Sequence, residues 1–345
     1  MLTVKQIKEI REHLNKAQNP IFFFDNDGDG LCSFLLLQRF IGRGKGVPIR
    51  TFPELSSDYV KRINELNADY IFILDKPIVS QEFFEEIRQI NLPIVYIDHH
   101  KIDFSLIPKF VNYYNPLLNK KKTNEPVTYL CYGISQKKED AWIALIGSIC
   151  DNYVPKFYSQ IQKDYPDLTV QSKKSPEIYY NSQLGKIAQM FNFALKDSIT
   201  NVVTMIKFLM KVKSPNDVLN ESKDNFLMHK RFEEINKKYH KFLEKACDFD
   251  KKEKMIFFEY GGETSISADI ANGLKYRFPN KVIVVAYISG AKANISVRGK
   301  KIREIALKAI KDLEDASGGG HEDAVGLRVK IEDLGKLREN FKKLI

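Results

Sequence analysis

The run Asp25-Asn26-Asp27-Gly28-Asp29-Gly30 puts a carboxylate at every second position and closes on glycine. Hard divalent cations want several oxygens on a tightly turning backbone, which this spacing supplies. The pattern matches the opening of an EF-hand calcium loop. However, the twelfth loop position, where a bidentate Glu belongs, is Leu36, and the preceding residues 21–24 read as a strand rather than a helix. Three acids packed behind four apolar residues would repel one another without a cation. Further acids recur at equivalent places. Asp75 follows the apolar run 71–74, Asp98-His99-His100 follows 94–97, and Asp151 closes an apolar helical pattern. A lone Asp after a strand is ordinarily a helix cap. Acids after three strands, one with a His pair, point instead to a shared site. Mixed carboxylate and imidazole donors suit manganese, cobalt or iron better than magnesium, and so many donors suit two ions. Two metals about 3.5–4 Å apart activate a water and stabilise both attacking and leaving oxygens in phosphoryl transfer. The residues alone therefore predict a two-metal phosphohydrolase.

Such a site needs a scaffold of strand ends. Runs at 21–24, 47–52, 71–74 and 94–97 are predominantly apolar rather than alternating, as in strands buried on both faces, and helical patterns at 31–41, 58–66 and 81–90 alternate with them. This predicts a parallel sheet with helices on its faces, where ligands bind at the carboxyl edge. A fifth run at 110–114 precedes helices over 127–132 and 140–150. From about Asn152 to Lys252 the strand signal fades. Residues 226–249 carry Phe232, Ile235, Tyr239, Phe242, Leu243 and Ala246 on one helical face. This stretch reads as an interdomain connector, with a helical hairpin capping the first domain as the alternative. Residues 211–220, with Pro215 and Asn216, read as turns. Strands at 255–260, 281–288 and 293–297 and helices at 266–276 and 302–313 return the tail to α/β. The predicted class is α/β, with a domain at 1–155, a helical connector at 156–252 and a smaller α/β domain at 253–345.

Composition excludes several classes. Of 345 residues, 43% are hydrophobic and 28% charged, which argues against a disordered or fibrous chain. No apolar run approaches the roughly 18 residues that span a bilayer, and residues 1–14 mix charge with apolar side chains, unlike a secretory signal. Cys32, Cys131, Cys150 and Cys247 form no C-x-x-C pair and read as reduced thiols of a cytoplasmic protein. The net charge of +10 gives a nucleic-acid partner even odds on its own.

The ordered set Asp-x-Asp-x-Asp-Gly, strand-end Asp, Asp-His-His and Asp after an apolar helix resembles the DHH phosphoesterase superfamily. Arg298 with Gly318-Gly319-Gly320-His321-Glu322-Asp323-Ala324-Val325-Gly326 resembles the signature of its DHH-associated C-terminal domain. The resemblance covers residues 20–153 and 253–331 and implies an active site in the interdomain cleft. By resemblance, Asp27, Asp29, Asp75, His99 and Asp151 are metal ligands, with Asp75 bridging two ions. His100 lies near the scissile phosphate, Asp98 orients the His pair, and Arg298 with Gly318–His321 grips substrate. Phe23 stands where pyrophosphatases and nanoRNase members carry a His, whereas the triple Asp is like RecJ-type exonucleases. Asp25 or water must then supply the missing ligand.

The resemblance implies two divalent ions, with manganese favoured and magnesium or cobalt as alternatives. It also implies hydrolysis of single-stranded RNA or DNA, or of short oligonucleotides, from an end, with no membrane partner. A homodimer or a replication or repair partner is compatible with it. The alternatives are a pAp phosphatase, a cyclic-dinucleotide phosphodiesterase, and a non-catalytic scaffold in a replication complex. Consecutive glycines let backbone N–H groups converge on an anion, and a helix start predicted at Ala324–Gly326 would add its dipole. Lys120-Lys121-Lys122 and the Lys-rich connector are the expected nucleic-acid track.

Overall fold

The computed structural model describes residues 1–51, 54–248 and 253–345. Phe52 and Phe249, the ends of two predicted elements, lie outside the described residues. The chain divides into two compact units, Met1–Phe232 and Glu233–Ile345.

The first unit opens with α1 (Val4–Lys16), β1 (Pro20–Asp25), α2 (Gly28–Ile41), β2 (Lys45–Ile49), α3 (Val60–Glu65), β3 (Tyr70–Leu74), α4 (Gln81–Ile90), β4 (Ile94–Ile97) and β5 (Asn112–Tyr114). The strands form one parallel sheet in the order β2-β1-β3-β4-β5. The three inner strands β1, β3 and β4 are buried on both faces, which explains their unbroken apolar runs. Ile21 and Phe23 of β1 pack with Ile63, Phe83 and Ile87 on one face. Phe22 and Phe24 lie against the Phe34 ring of α2, at centroid distances of 5.5 and 5.3 Å. A buried side chain of this kind contributes about 1.5–3 kcal/mol, so Phe34 spans two packing partners at once.

Next come α5 (Val127–Ser135), α6 (Ala141–Cys150), α7 (Tyr158–Asp164), α8 (Ser175–Asn181), α9 (Gln183–Ala194), α10 (Ile199–Leu209) and α11 (Pro215–Leu219). These helices belong to the first unit, with α9 packing on α2 and α6. The predicted turns at 211–220 contain α11, because the Asp217 carboxylate accepts the N–H groups of Lys213 and Ser214 and closes a helix start. α12 (Phe226–Ala246) crosses the boundary between the units.

The second unit contains β6 (Met255–Gly261), α13 (Ser267–Arg277), β7 (Val282–Ser289), β8 (Lys292–Arg298), α14 (Ile302–Ala309), β9 (Ser317–Gly320), β10 (Ala324–Lys330) and α15 (Leu334–Leu344). Its mixed sheet runs β6-β7-β8-β10-β9 and is parallel only between β6 and β7. Val284, Ala286, Ile295 and Leu327 of the sheet bury against Ala306 of α14 and Phe341 of α15. The helix start predicted at Ala324–Gly326 is instead β10, and the glycine run is the edge strand paired to it. Val325, Leu327 and Val329 alternate into the core, a period of two that outweighs the glycines.

Candidate metal centre

Asp25 ends β1, and the chain then starts α2 within three residues. Asp27 is the N-cap of α2 and accepts the Gly30 N–H at 2.9 Å. A Cβ at Gly30 would sit 2.2 Å from the Asp25 carbonyl oxygen, so only glycine lets the helix start this close to the strand. Asp29 lies in the first turn of α2 and is fully buried. Its two oxygens accept the N–H groups of Val127 and Thr128 at 2.8 and 2.7 Å, which makes it a cap on α5 as well.

Asp75 leaves β3 in the left-handed conformation, with φ of 59°. Such backbone strain is held where the surroundings over-determine it, often at functional sites. Asp75 Oδ1 is buried and makes no hydrogen bond. Around that atom, His99 Nε2 stands at 3.3 Å and His100 Nδ1 at 3.9 Å. His99 Nε2 is also 3.3 Å from Asp151 Oδ2, at the C-terminal end of α6. Donor atoms of Asp29, His99 and Asp151 lie within 4.8 Å of one another, as do those of Asp75, Asp98 and His100. The acids are expensive to keep charged without a cation. Burial and Asp25 push Asp27 up to about 7. Burial with Asp151 raises Asp29 well above the carboxylate range, and burial with Asp29 and Asp27 does the same to Asp75. A buried carboxylate oxygen with no hydrogen bond, facing imidazole and further carboxylates, fits a divalent metal.

His100 is held from behind. Asp98 is fully buried, 2.7 Å from His100 Nδ1, and accepts the Tyr113 hydroxyl at 3.1 Å. Asn115 donates to the His100 carbonyl at 3.0 Å and to the Tyr113 hydroxyl at 2.9 Å. Burial pushes His100 down, but Asp98 outweighs it and brings the imidazole up to about 9. Burial likewise pushes Asp98 up, yet His100 holds it below the usual carboxylate range. Tyr113 and Asn115 were not anticipated, although Asn115 follows β5, the fifth strand, as Asp75 and Asp98 follow β3 and β4.

Asp25 has a partner that spacing does not reveal. Lys76, 3% exposed, places Nζ 2.8 Å from Asp25 Oδ1 and 3.4 Å from the Thr51 carbonyl. Tyr96 donates from its hydroxyl to the Lys76 carbonyl, fixing the backbone there. One oxygen of Asp25 is thus committed to an ammonium inside the sheet edge.

In the second unit, Arg298 ends β8, and its Nε donates to Asn272 Oδ1 at 2.6 Å. Arg298 is paired with Ala324 of β10, and Val325 with Gly320 of β9, so arginine and glycines share one end of the sheet. Gly318, Gly319 and Gly320 are exposed, and Gly320 has φ of 138°. The His321 N–H donates to the Ala324 carbonyl at 2.9 Å, closing the β9–β10 turn. The anion-binding reading of this run rests on an exposed strand edge, without the helix dipole expected for it.

Residues 21–148 match the model of the DHH family, N-terminal domain, and residues 252–345 match that of the DHHA1 domain. No curated protein matches the sequence. Among solved structures, the chain resembles RecJ in complex with Mn2+ from Thermus thermophilus, with a TM-score of 0.72 at 15% identity over 98% of this chain and 54% of that one. It therefore spans about half the length of that RecJ. It resembles an exonuclease RecJ bound to manganese with a TM-score of 0.68 at 14% identity, over 99% of this chain and 94% of that one. The DHH domain of a member of the s1p family of ribosomal proteins gives 0.70 at 17% identity, over 98% and 89%. These likenesses show a shared RecJ-like DHH architecture. A DHH domain whose strand ends carry this acid and histidine cluster, followed on one chain by a DHHA1 domain, places the protein in the DHH phosphoesterase superfamily.

Proposed function

We propose that the protein is a two-metal phosphodiesterase that releases mononucleotides from an end of single-stranded or short oligonucleotides. The observation that carries this reading is Asp75 Oδ1, which lacks a hydrogen bond and has His99 Nε2 at 3.3 Å, itself 3.3 Å from Asp151, and His100 Nδ1 at 3.9 Å, itself 2.7 Å from Asp98. Asp27, Asp29, Asp75, His99 and Asp151 would hold two divalent ions, with manganese favoured by the mixed donors. When bound, such ions activate water and neutralise charge on the reacting phosphate. Asp25, committed through Oδ1 to Lys76, would contribute at most its other oxygen.

The chain's own groups supply the rest. Asp98 fixes His100 through Nδ1, so His100 would present Nε2 to the phosphate, stabilising its oxygens or protonating the leaving group. Arg298 and the Gly318–His321 edge would grip a terminal phosphate with guanidinium and backbone N–H donors. The exposed Lys120, Lys121 and Lys122 and the excess of basic residues would attract the rest of the strand. The RecJ likenesses, one of them to a protein described as an exonuclease, support a nucleic-acid substrate.

The test is a product time course with Mn2+ on labelled short and long RNA and DNA, pAp and a cyclic dinucleotide. Mononucleotide release from one end is expected. Turnover of pAp or the cyclic dinucleotide alone would replace this reading with a small-molecule phosphoesterase, and turnover of nothing would favour a scaffold.

A further inference from the structure

β2 is an edge strand, because β1 pairs along one side and no strand pairs along the other among the described residues. Helices nevertheless flank both faces of that edge. Val47 packs with Tyr59 and Ile63 on the α3 face. A Cβ on Gly46 would strike the Phe34 ring at 2.7 Å, which places Gly46 on the α2 face. On that face α10 is tied to α2, because Arg39 donates to the carbonyls of Leu209, Met210 and Val212. Between α3 and α10, against β2, lies a cavity of about 530 Å³, a volume typical of specific binding sites.

Val47, Ile199, Val203, Ile206 and Met210 line its wall. Two of these stand open to water, Ile199 at 57% and Val203 at 37%. Lys45, Lys61 and Lys207 also border the cavity and make no ion pair among the described residues. The two arginines there are engaged, Arg50 with the carbonyls of Leu195 and Asp197 and Arg62 with Glu65.

We propose that this cavity is an open strand position that receives an extended, acid-ended segment of a partner protein, laid alongside β2. Unpaired backbone groups of an edge strand template another strand, and flanking pockets select its alternate side chains. The aliphatic wall takes those side chains, and the three lysines pair with acids at the segment's ends. Pro48, which has no N–H, is tolerated in β2 because the strand is an edge. Among the described residues Tyr59 is the one aromatic side chain of the wall, so nucleic-acid bases would find little to stack on there.

The test is fluorescence anisotropy with the full chain and a labelled peptide of alternating valine and threonine bearing two acidic residues at each end. Saturable binding is expected, weakened at least about tenfold by Val203→Glu or by replacing the terminal acids with lysines. Val203 is an exposed helix position, so the variant should fold, and its circular dichroism and metal-dependent hydrolysis should match the wild type. Absence of saturable binding, equal binding by Val203→Glu, or equal binding of the lysine-ended peptide would overturn the proposal. So would competition at this site by a single-stranded oligonucleotide, or a homodimer that Val203→Glu dissociates.

Discussion

Replacing Lys76 by methionine keeps the stem of the side chain and removes the ammonium that faces Asp25 at 2.8 Å. Loss of one partner of a buried ion pair costs about 3–5 kcal/mol. Asp25 keeps 30% of its side chain in water, which screens the orphaned charge, so about 2–3 kcal/mol is expected. For a unit of this size, each kcal/mol moves the melting temperature by about 2–4 °C. The first unit of metal-free Lys76→Met should therefore melt about 4–12 °C below wild type, followed by circular dichroism in chelator. Asp25→Asn should cost at least as much, since it leaves Lys76 charged at 3% exposure. The double variant Asp25→Asn/Lys76→Met removes both charges and should recover most of the Asp25→Asn loss. A Lys76→Met melting temperature indistinguishable from wild type would refute the pairing argument, as would a double variant no better than Asp25→Asn.

Asp27, raised to about 7 by burial and by Asp25, makes a pH prediction. The metal-free folded state holds a proton that the unfolded chain releases near pH 4. The contribution of Asp27 to stability is therefore complete below the ordinary carboxylate range and is lost as pH rises through 7, on the order of 4 kcal/mol. Mn2+ displaces that proton and those on Asp29 and Asp75, whose carboxyls are also raised, so its affinity, read by titration calorimetry, should climb at least about tenfold per pH unit below 7; a pH-independent affinity would contradict this. In the second unit, Gly320→Ala should destabilise by at least about 1 kcal/mol, because its φ is 138° and a Cβ would lie 2.4 Å from the Ala324 carbonyl oxygen. Gly319→Ala, with nothing within 4 Å of its Cβ, should melt like wild type.

The sheet and its acids were readable because a strand buried on both faces leaves a continuous apolar run, and the next residue is then a strand end. Asp75 and Asp98 follow directly from that rule; β1, β3 and β4 lie where the runs place them, while β2 begins two residues before the run at 47–52 and ends at Ile49. Lys76 was not readable. A lysine after an acid has no diagnostic spacing, and only the register of β3 beside β1 brings it to Asp25. Nor was the second role of Asp29, since the α5 N–H groups it caps come from residues 127 and 128. The glycine run misled because glycine is a poor strand former, and its pairing partner β10 decides its conformation. Amphipathic helices after Asn152 announce an apolar face without saying what covers it. The structure shows α9 of that stretch on α2 and α6.

The central claim is that the cluster around Asp75 holds the metal and performs hydrolysis. It is tested most directly by comparing wild type with Asp75→Asn for Mn2+ binding and for release of mononucleotides from a labelled short oligonucleotide. Asp75→Asn should keep its circular dichroism spectrum but lose Mn2+ affinity and at least about 100-fold of the hydrolysis rate. A folded Asp75→Asn protein that binds Mn2+ and hydrolyses the oligonucleotide like wild type would contradict it.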